Sequence, residues 1–168
     1  MDREQLRALQ APLKERYRDE PDAALVTLAA TATLGEGVSC SVHTARAIAV
    51  AGLHPATGGD GSQLCSGDML LEALAACAGV TLRAVATALG ISVTSGTVRA
   101  EGDLDFRGTL GVDREAPVGF SAVRLSFALD TDTDAEQLAK LQELTERYCV
   151  VYQTLANAPT LTTTLTTG

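Results

Sequence analysis

The sequence predicts an α+β domain in which antiparallel sheets pack against two helices. Strand patterns follow one another across short, glycine-containing turns, as they do in hairpins. One long central segment is apolar on nearly every side, which is typical of a helix buried at the centre of a domain. With 46% hydrophobic and 20% charged residues, the 168-residue chain has the composition of a protein with a true core. There is no internal repeat or linker, so we expect residues 1–168 to form a single domain.

The first part of the chain contains one helix pattern and two strand patterns. Residues 2–18 carry leucines three or four positions apart and predict a helix, which Pro12 should kink or restart. We therefore treat residues 1–20 as an N-terminal helical extension. Alternating side chains predict a strand over 24–34 and a returning strand over 38–44, joined by a Gly-Glu-Gly hairpin turn.

The middle of the chain contains a turn-rich loop and the apolar helix. Residues 46–53 have an ambiguous pattern that we interpret as a third strand, and residues 54–67 are rich in turn formers. A helix is predicted over 69–91, with Ser66 or Asp68 as its N-cap and a glycine just past its end.

The length of this helix raises the question of a membrane span. Twenty-three residues over 69–91 are enough to cross a bilayer, but Glu72 and Arg83 lie inside the segment and would be costly there. A buried core helix is therefore favoured. Covering such a helix takes more sheet than one chain readily supplies, so we expect a homodimer with a shared core.

The rest of the chain alternates strands with one more helix. We predict a long strand over 91–106, a partner strand over 119–129, a helix over 134–149 and a final strand over 160–167. The predicted order behind the N-terminal helix is therefore β-β-β-α-β-β-α-β.

Charge and composition exclude several classes of function. Thirteen basic residues against 21 acidic ones give a net charge of −8, which opposes binding to nucleic acid or to an acidic membrane. The chain has two histidines, and its cysteines are not spaced as zinc ligands. We therefore expect no metal site and no cofactor. The N-terminus is charged from its second residue and lacks the apolar run of a secretory signal. We therefore expect a cytoplasmic protein with reduced thiols.

The candidates for chemistry are the four cysteines. Cys77 lies in the middle of the apolar helix, and Cys149 closes the last helix. A free cysteine often packs as a small hydrophobic residue, so both a packing role and a chemical role stay open for this pair. Packing is the favoured interpretation for Cys40, in a strand, and for Cys65, in the loop, although Cys65 is also a candidate third redox thiol.

From about residue 24 onward the chain resembles the OsmC/Ohr family of osmotically inducible and organic hydroperoxide resistance proteins. The resemblance is carried by the runs HPATGGDG, SGDMLLEALAACAGVTL, GISV, VRAEGDLDFRGTLGV and TERYCVV. It implies an intertwined homodimer in which antiparallel sheets wrap two central helices. It also implies a thiol peroxidase that reduces organic hydroperoxides, with Cys77 as the peroxidatic thiol, Cys149 as the resolving thiol and an external dithiol as reductant.

The chain departs from that family pattern at three positions. The pattern has a catalytic arginine in the turn after the first strand, where this sequence has Glu36. It has a glutamate ten residues before the peroxidatic cysteine, where this sequence has Gly67 beside Asp68. It has proline after the resolving cysteine, where this sequence has Val150. The chain therefore resembles a divergent branch of the family.

A thiol on an apolar helix face needs an activating group, because burial favours its neutral form. A position in the middle of a helix predicts no help from a helix N-terminus. We therefore expect a cation at Cys77 and favour Arg46 over Arg18 and Arg147, because a strand of the early sheet can cross the helix.

Two further features leave alternatives open. His54 either lines the pocket or hydrogen-bonds backbone, and the glycine run over 58–61 predicts a turn and not a phosphate loop. The alternative function is that of a non-catalytic OsmC-fold protein that binds small apolar ligands and whose cysteines only pack. Rapid alkylation of Cys77 near neutral pH would separate the enzyme from the binding protein.

Overall fold

The computed structural model of the chain describes residues 3–34, 40–42 and 52–167. The described residues form five α-helices: α1 (Arg3–Asp19), α2 (Ser66–Leu89), α3 (Phe106–Thr109), α4 (Ala135–Tyr148) and α5 (Val150–Ala156). They also form four strands: β1 (Leu25–Leu34), β2 (Cys40–Val42), β3 (Ser95–Asp105) and β4 (Phe120–Asp130). Two short 3₁₀ turns cover Pro21–Ala24 and Pro55–Thr57.

The four strands form one antiparallel sheet in the order β2-β1-β3-β4. The β1–β3 ladder starts from Leu25 opposite Asp105, and the β3–β4 ladder from Ser95 opposite Asp130. Mixed helix and antiparallel sheet confirm the predicted α+β class. Among the described residues, β3 is the single neighbour of β4, so the other side of β4 is an edge of the sheet.

Helix α2 is the core helix. Its most buried side chains lie on one stripe against the sheet and α4: Leu71, Leu74, Ala75, Ala78 and Leu82. Gly102 in β3 permits this close packing, because a Cβ there would lie 2.5 Å from the Phe120 ring and 3.3 Å from Leu71. By length and composition, α2 is also the one helix in the described part of the chain that could cross a membrane. In this fold its buried stripe belongs to the core of the domain.

The ends of α2 test the predicted caps. Gly90 follows the helix in the left-handed conformation, with φ of 70°, as the sequence predicted. At the other end the prediction of Ser66 or Asp68 as N-cap is wrong. The helix begins at Ser66, almost a turn earlier than expected, and Cys65 occupies the N-cap position without a side-chain hydrogen bond.

The N-terminal extension is one continuous helix through Pro12 and does not restart there. Tyr17 near its end is buried and donates a hydrogen bond of 2.7 Å to the carbonyl of Ala56. Gln10 also donates to the carbonyl of Thr57, at 3.3 Å. These contacts attach α1 to the loop that precedes α2.

Of the two elements predicted for the C-terminal part, the strand is wrong and the helix is confirmed. Residues 160–167 are not a strand, because no neighbouring strand lies beside them within the described chain, and Leu161 and Leu165 are 86% and 92% exposed. The helix predicted over 134–149 is confirmed as α4 with Asp134 and Cys149 as its caps, and a further helix, α5, which was not predicted, follows it. Of the predicted third strand, residues 46–51 lie outside the described residues, as does the turn at 35–37; Gly52 and Leu53 are not in a strand.

Candidate thiol site

Helix α2 and the junction between α4 and α5 bring the thiols of Cys77 and Cys149 together. Cys77 is half-buried on α2, and the side chain of Cys149 is fully buried between α4 and α5. The backbone of Cys149 is extended, with φ of −72° and ψ of 108°, which ends one helix and starts the next. Because α5 packs on α2, the Cys149 thiol reaches Cys77 and is hydrogen-bonded to it.

The N-terminus of α5 points at the same pair of sulfur atoms. The backbone N–H groups of Val150 and Val151 donate to the sulfur of Cys77, and the N–H of Tyr152 donates to Sγ of Cys149 at 3.5 Å. The first N–H groups of a helix have no partner inside the helix and carry partial positive charge. This helix end therefore favours negative charge on Cys77.

These contacts decide the ionisation of Cys77. Burial opposes its ionisation, but hydrogen bonds from the Val151 amide, the Cys149 thiol, the Val150 amide and the Thr81 hydroxyl outweigh it. The pKa of Cys77 therefore lies below its ordinary value. All four donors are uncharged. Since the thiolate is the nucleophilic form, this environment makes Cys77 the reactive member of the pair.

Cys149 is shifted in the opposite direction. Burial raises its pKa to about 11; the hydrogen bond with Cys77 and the negative charge of Cys77 add to the rise, while the Tyr152 and Val151 amides oppose it. Cys149 thus keeps its proton at neutral pH and donates it toward Cys77. A thiol that ionises more readily than usual, in contact with a thiol that keeps its proton, is an arrangement from which a sulfenic acid intermediate can be closed to a disulfide.

Comparison with known proteins identifies the family. The model described as OsmC-like protein matches residues 59–164, more than half of the chain. The chain belongs to the OsmC-like family. Among solved structures, the crystal structure of an OsmC-like hydroperoxide resistance protein from Jannaschia sp. CCS1 superposes with a TM-score of 0.64 at 18% sequence identity, over 86% of this chain and 95% of that one. At that identity the likeness shows the fold alone. No curated protein matches the chain.

Sequence reasoning missed the activating groups of this OsmC-like protein. It expected no help from a helix N-terminus because Cys77 lies inside α2, and that was wrong, since the N-terminus belongs to α5. The one hint in the sequence was that the helix predicted before Cys149 ends at that residue, which is correct. Nothing in the sequence predicted that a second helix, α5, begins directly after it. Val150 and Val151 are β-branched and gave no helical pattern.

The predicted charged groups lie elsewhere or outside the described residues. Arg46 and Glu36 fall outside them. The Arg147 guanidinium lies 5.4 Å from the centre of the Tyr148 ring, and Arg18 is exposed near the end of α1. At the N-terminus of α2, burial raises the pKa of Asp68, against the effect of His54, and burial together with Asp68 raises the pKa of Glu72.

His54, Cys65 and Cys40 are not part of the thiol pair. His54 accepts a hydrogen bond of 3.0 Å from the Ala56 amide through Nδ1 and stacks on Phe106, with the ring centres 5.0 Å apart. Its ring and Cys65 both line a groove of about 410 Å³. Twelve helical positions separate Cys65 from Cys77, or about 18 Å along α2, so Cys65 is not part of the thiol pair. Cys40 lies in β2, where only the backbone is described.

The glycine run before α2 forms the predicted turn. Gly58 is left-handed, with φ of 95°, and Asp60 accepts a hydrogen bond of 2.8 Å from the Ser62 amide. Within residues 3–34, 40–42 and 52–167, no group of three or more His, Cys, Asp or Glu side chains could hold a metal ion.

Proposed function

We propose that this OsmC-like protein is a thiol-dependent peroxidase that reduces organic hydroperoxides, with Cys77 as peroxidatic and Cys149 as resolving thiol. The observation that carries the proposal is the contact between the two thiols together with their opposite pKa shifts. Burial alone would raise the pKa of both thiols, as expected for two cysteines that only pack.

The reaction follows from the opposite pKa shifts of the two thiols. The Cys77 thiolate attacks the terminal oxygen of the hydroperoxide, the O–O bond breaks, and the leaving alkoxide takes a proton to become an alcohol. Cys77 is then a sulfenic acid. The sulfur of Cys149 attacks it and forms the disulfide, while its proton and the sulfenic hydroxyl leave as water. An external dithiol returns both cysteines to thiols by two-electron exchange.

The surroundings of Cys77 support an organic hydroperoxide as substrate over hydrogen peroxide. A groove of about 570 Å³ is lined by Leu70 and Leu74 of α2, by β4 around Phe120 and Leu125, and by Tyr152 and other residues of α5. Leu74 is one helical turn from Cys77. An apolar wall at that distance favours an alkyl or aryl group next to the peroxide.

The test is consumption of cumene hydroperoxide in the presence of a dithiol. Cys77→Ser should abolish it. Cys149→Ser should let Cys77 reach the sulfenic acid but not turn over, so mass spectrometry should find Cys77 as sulfinic acid. Cys65→Ser is the matched control, since it removes a thiol about 18 Å away along α2, and it should stay active.

Each result decides between the two functions. Consumption by Cys77→Ser at the wild-type rate would refute the assignment of the peroxidatic thiol. No consumption by the wild type, together with slow alkylation of Cys77 at neutral pH, would leave the small-ligand binding protein as the function, with the apolar groove as its site.

The proposal includes the setting of the reaction. We propose a homodimer, because α2 leaves Leu70, Val80 and Leu89 exposed in the single chain. We also propose that the protein is cytosolic, with reduced thiols. Arg46 stays the proposed cation of the site, in addition to the uncharged donors of α5. The net charge of −8 supports a small-molecule substrate over nucleic acid or an acidic membrane.

A further inference from the structure

The two sulfur atoms of the thiol pair differ in how far they can be reached from solvent. Cys149 is 0% exposed and belongs to the apolar core, together with Leu74 and Leu141. Cys77 is only half-buried. The enclosure of Cys149 is complete within a single chain, and association with another chain can only reduce exposure further. Access to the pair from solvent is therefore access to Cys77.

The position of Cys77 on α2 sets the direction of that access. At about 100° per residue, Leu74 lies on one side of Cys77 and Ala73 lies on the other. Leu74 is buried, whereas Ala73, and Ala84 on the same side, are exposed. Cys149 contacts Cys77 from the buried side, because it shares the core with Leu74. The open side of the Cys77 sulfur therefore faces away from Cys149.

This geometry favours one sulfur of the oxidised pair as the point of attack. A thiolate that attacks a disulfide displaces the other sulfur along the line of the S–S bond. Attack on Cys77 comes from the side away from Cys149, which is the open side. Attack on Cys149 would come from the side away from Cys77, which is the core. In the proposed reaction the hydroperoxide must also reach Cys77, so this approach is needed in any assembly in which the protein works.

The leaving groups favour the opposite choice and have to be weighed against access. The thiol of lower pKa leaves faster, which favours attack on Cys149 and departure of Cys77. Burial is the largest cause of the raised pKa of Cys149, but the other two causes are its hydrogen bond with Cys77 and the negative charge of Cys77. Once Cys77 is bonded to the reductant, that charge is gone and the hydrogen bond is weakened. Access to the sulfur therefore decides.

We propose that the external dithiol attacks the sulfur of Cys77 and that Cys149 is the leaving group of this first exchange. The inference rests on the peroxidase proposed above and assigns the sulfur at which its reductant acts. Cys77 then receives both the hydroperoxide and the reductant, and Cys149 reacts with Cys77 alone.

The reduction has two balanced steps. In the first, a thiolate of the reductant bonds to the Cys77 sulfur, the Cys77–Cys149 bond breaks, and its electron pair goes to Cys149, which takes a proton. In the second, the other thiol of the reductant loses its proton and attacks the reductant sulfur of the mixed disulfide. The reductant closes to a cyclic disulfide, and Cys77 leaves as a thiolate. The Val150 and Val151 amides, which donate to Cys77, stabilise this second leaving group.

The experiment uses the full wild-type chain and 2-mercaptoethanol, a monothiol that can complete only the first step. Diamide first oxidises the two cysteines to the disulfide without any hydroperoxide. After brief exposure to the monothiol the reaction is stopped with acid, and peptide mass spectrometry locates the adduct. The adduct should lie on Cys77, with Cys149 recovered as a free thiol and without detectable adduct.

The same disulfide in the unfolded chain is the matched control. In denaturant both sulfur atoms are exposed, so adducts should form on both cysteines, and unequal detection of the two peptides is excluded. Cyanide is a second probe, because it bonds to one sulfur as a thiocyanate while the other leaves as a thiolate. It should also mark Cys77 in the folded chain.

Each outcome supports or overturns the assignment. An adduct on Cys149 of the folded chain, alone or in the same amount as on Cys77, would overturn it. No adduct from either probe would show that Cys77 is closed and would overturn it as well. Because diamide forms the disulfide, a chain that fails to consume cumene hydroperoxide can still be tested, so failure of the peroxidase proposal is seen separately. If diamide forms no Cys77–Cys149 disulfide, both proposals fail.

Discussion

The clearest test of the thiol site is to remove one backbone donor without changing a side chain that matters. Val150→Pro deletes the first N–H group of α5, which donates to Cys77. The Val150 side chain is 71% exposed, so its loss should cost little packing. Proline is favoured at the first position of a helix. Cys149 before it already has the extended backbone that a residue preceding proline adopts.

The size of the effect follows from the contacts that remain. A hydrogen bond to a charged group contributes about 1.5–3 kcal/mol, and the Val151 amide and the Thr81 hydroxyl still serve Cys77 in the variant. We therefore take the lower end, which corresponds to a rise of about one pH unit in the pKa of Cys77. Below that pKa the thiolate fraction, and with it the alkylation rate, should fall about tenfold.

The assay is iodoacetamide labelling against pH, with Cys77 followed by peptide mass spectrometry. Val150→Ala is the control, because it also removes the exposed valine side chain but keeps the N–H group, and its profile should match the wild type. If the proline and alanine variants give superimposable profiles while both remain folded, the α5 amides do not stabilise the Cys77 thiolate and the reasoning fails.

Two further predictions concern the same pair of thiols. Thr81→Val removes a hydroxyl donor and should slow labelling of Cys77 a few-fold, whereas Thr87→Val on the same helix, whose hydroxyl donates to the Arg83 carbonyl, should leave the rate unchanged. The second prediction concerns stability at alkaline pH. The pKa of Cys149 is raised from 9.0 to about 11 in the folded state, so the unfolded chain loses this proton first. The free energy of unfolding should therefore fall as the pH rises between those two values. In Cys149→Ala, denaturant melts over that range should show a flatter dependence on pH, and an unchanged slope would exclude Cys149 as its source.

The fold was predictable where local pattern and tertiary structure agree. Alternation located β1 and β4, and Gly90 marked the end of α2, because each depends on residues adjacent in sequence. The final strand over 160–167 was predicted from an equally good alternation and is not formed in this chain. A strand needs a neighbour as well as a pattern, and the sequence of one segment does not specify whether that neighbour is available.

The site was predictable in its cysteines but not in its donors. Spacing alone left Cys77 and Cys149 open between packing and chemistry, and the resemblance to the family chose between them. The groups that lower the pKa of Cys77 include two backbone amides, which any residue except proline could supply. Such donors leave no mark in residue type, so the sequence predicts an arginine as the activating group instead.

One departure from the family pattern, the valine after Cys149, bears directly on the donors of α5. In that pattern an arginine and a glutamate supply the charge, and the residue after the resolving cysteine is proline, which has no N–H group to donate. Here Glu36 and Gly67 stand at the charged positions, and Val150 stands at the position of the proline. The N–H group that Val150 retains is one of the four donors to Cys77. Valine at this position therefore supplies the Cys77 sulfur with a neutral donor that proline lacks, and the proposed Arg46 cation would act in addition to it.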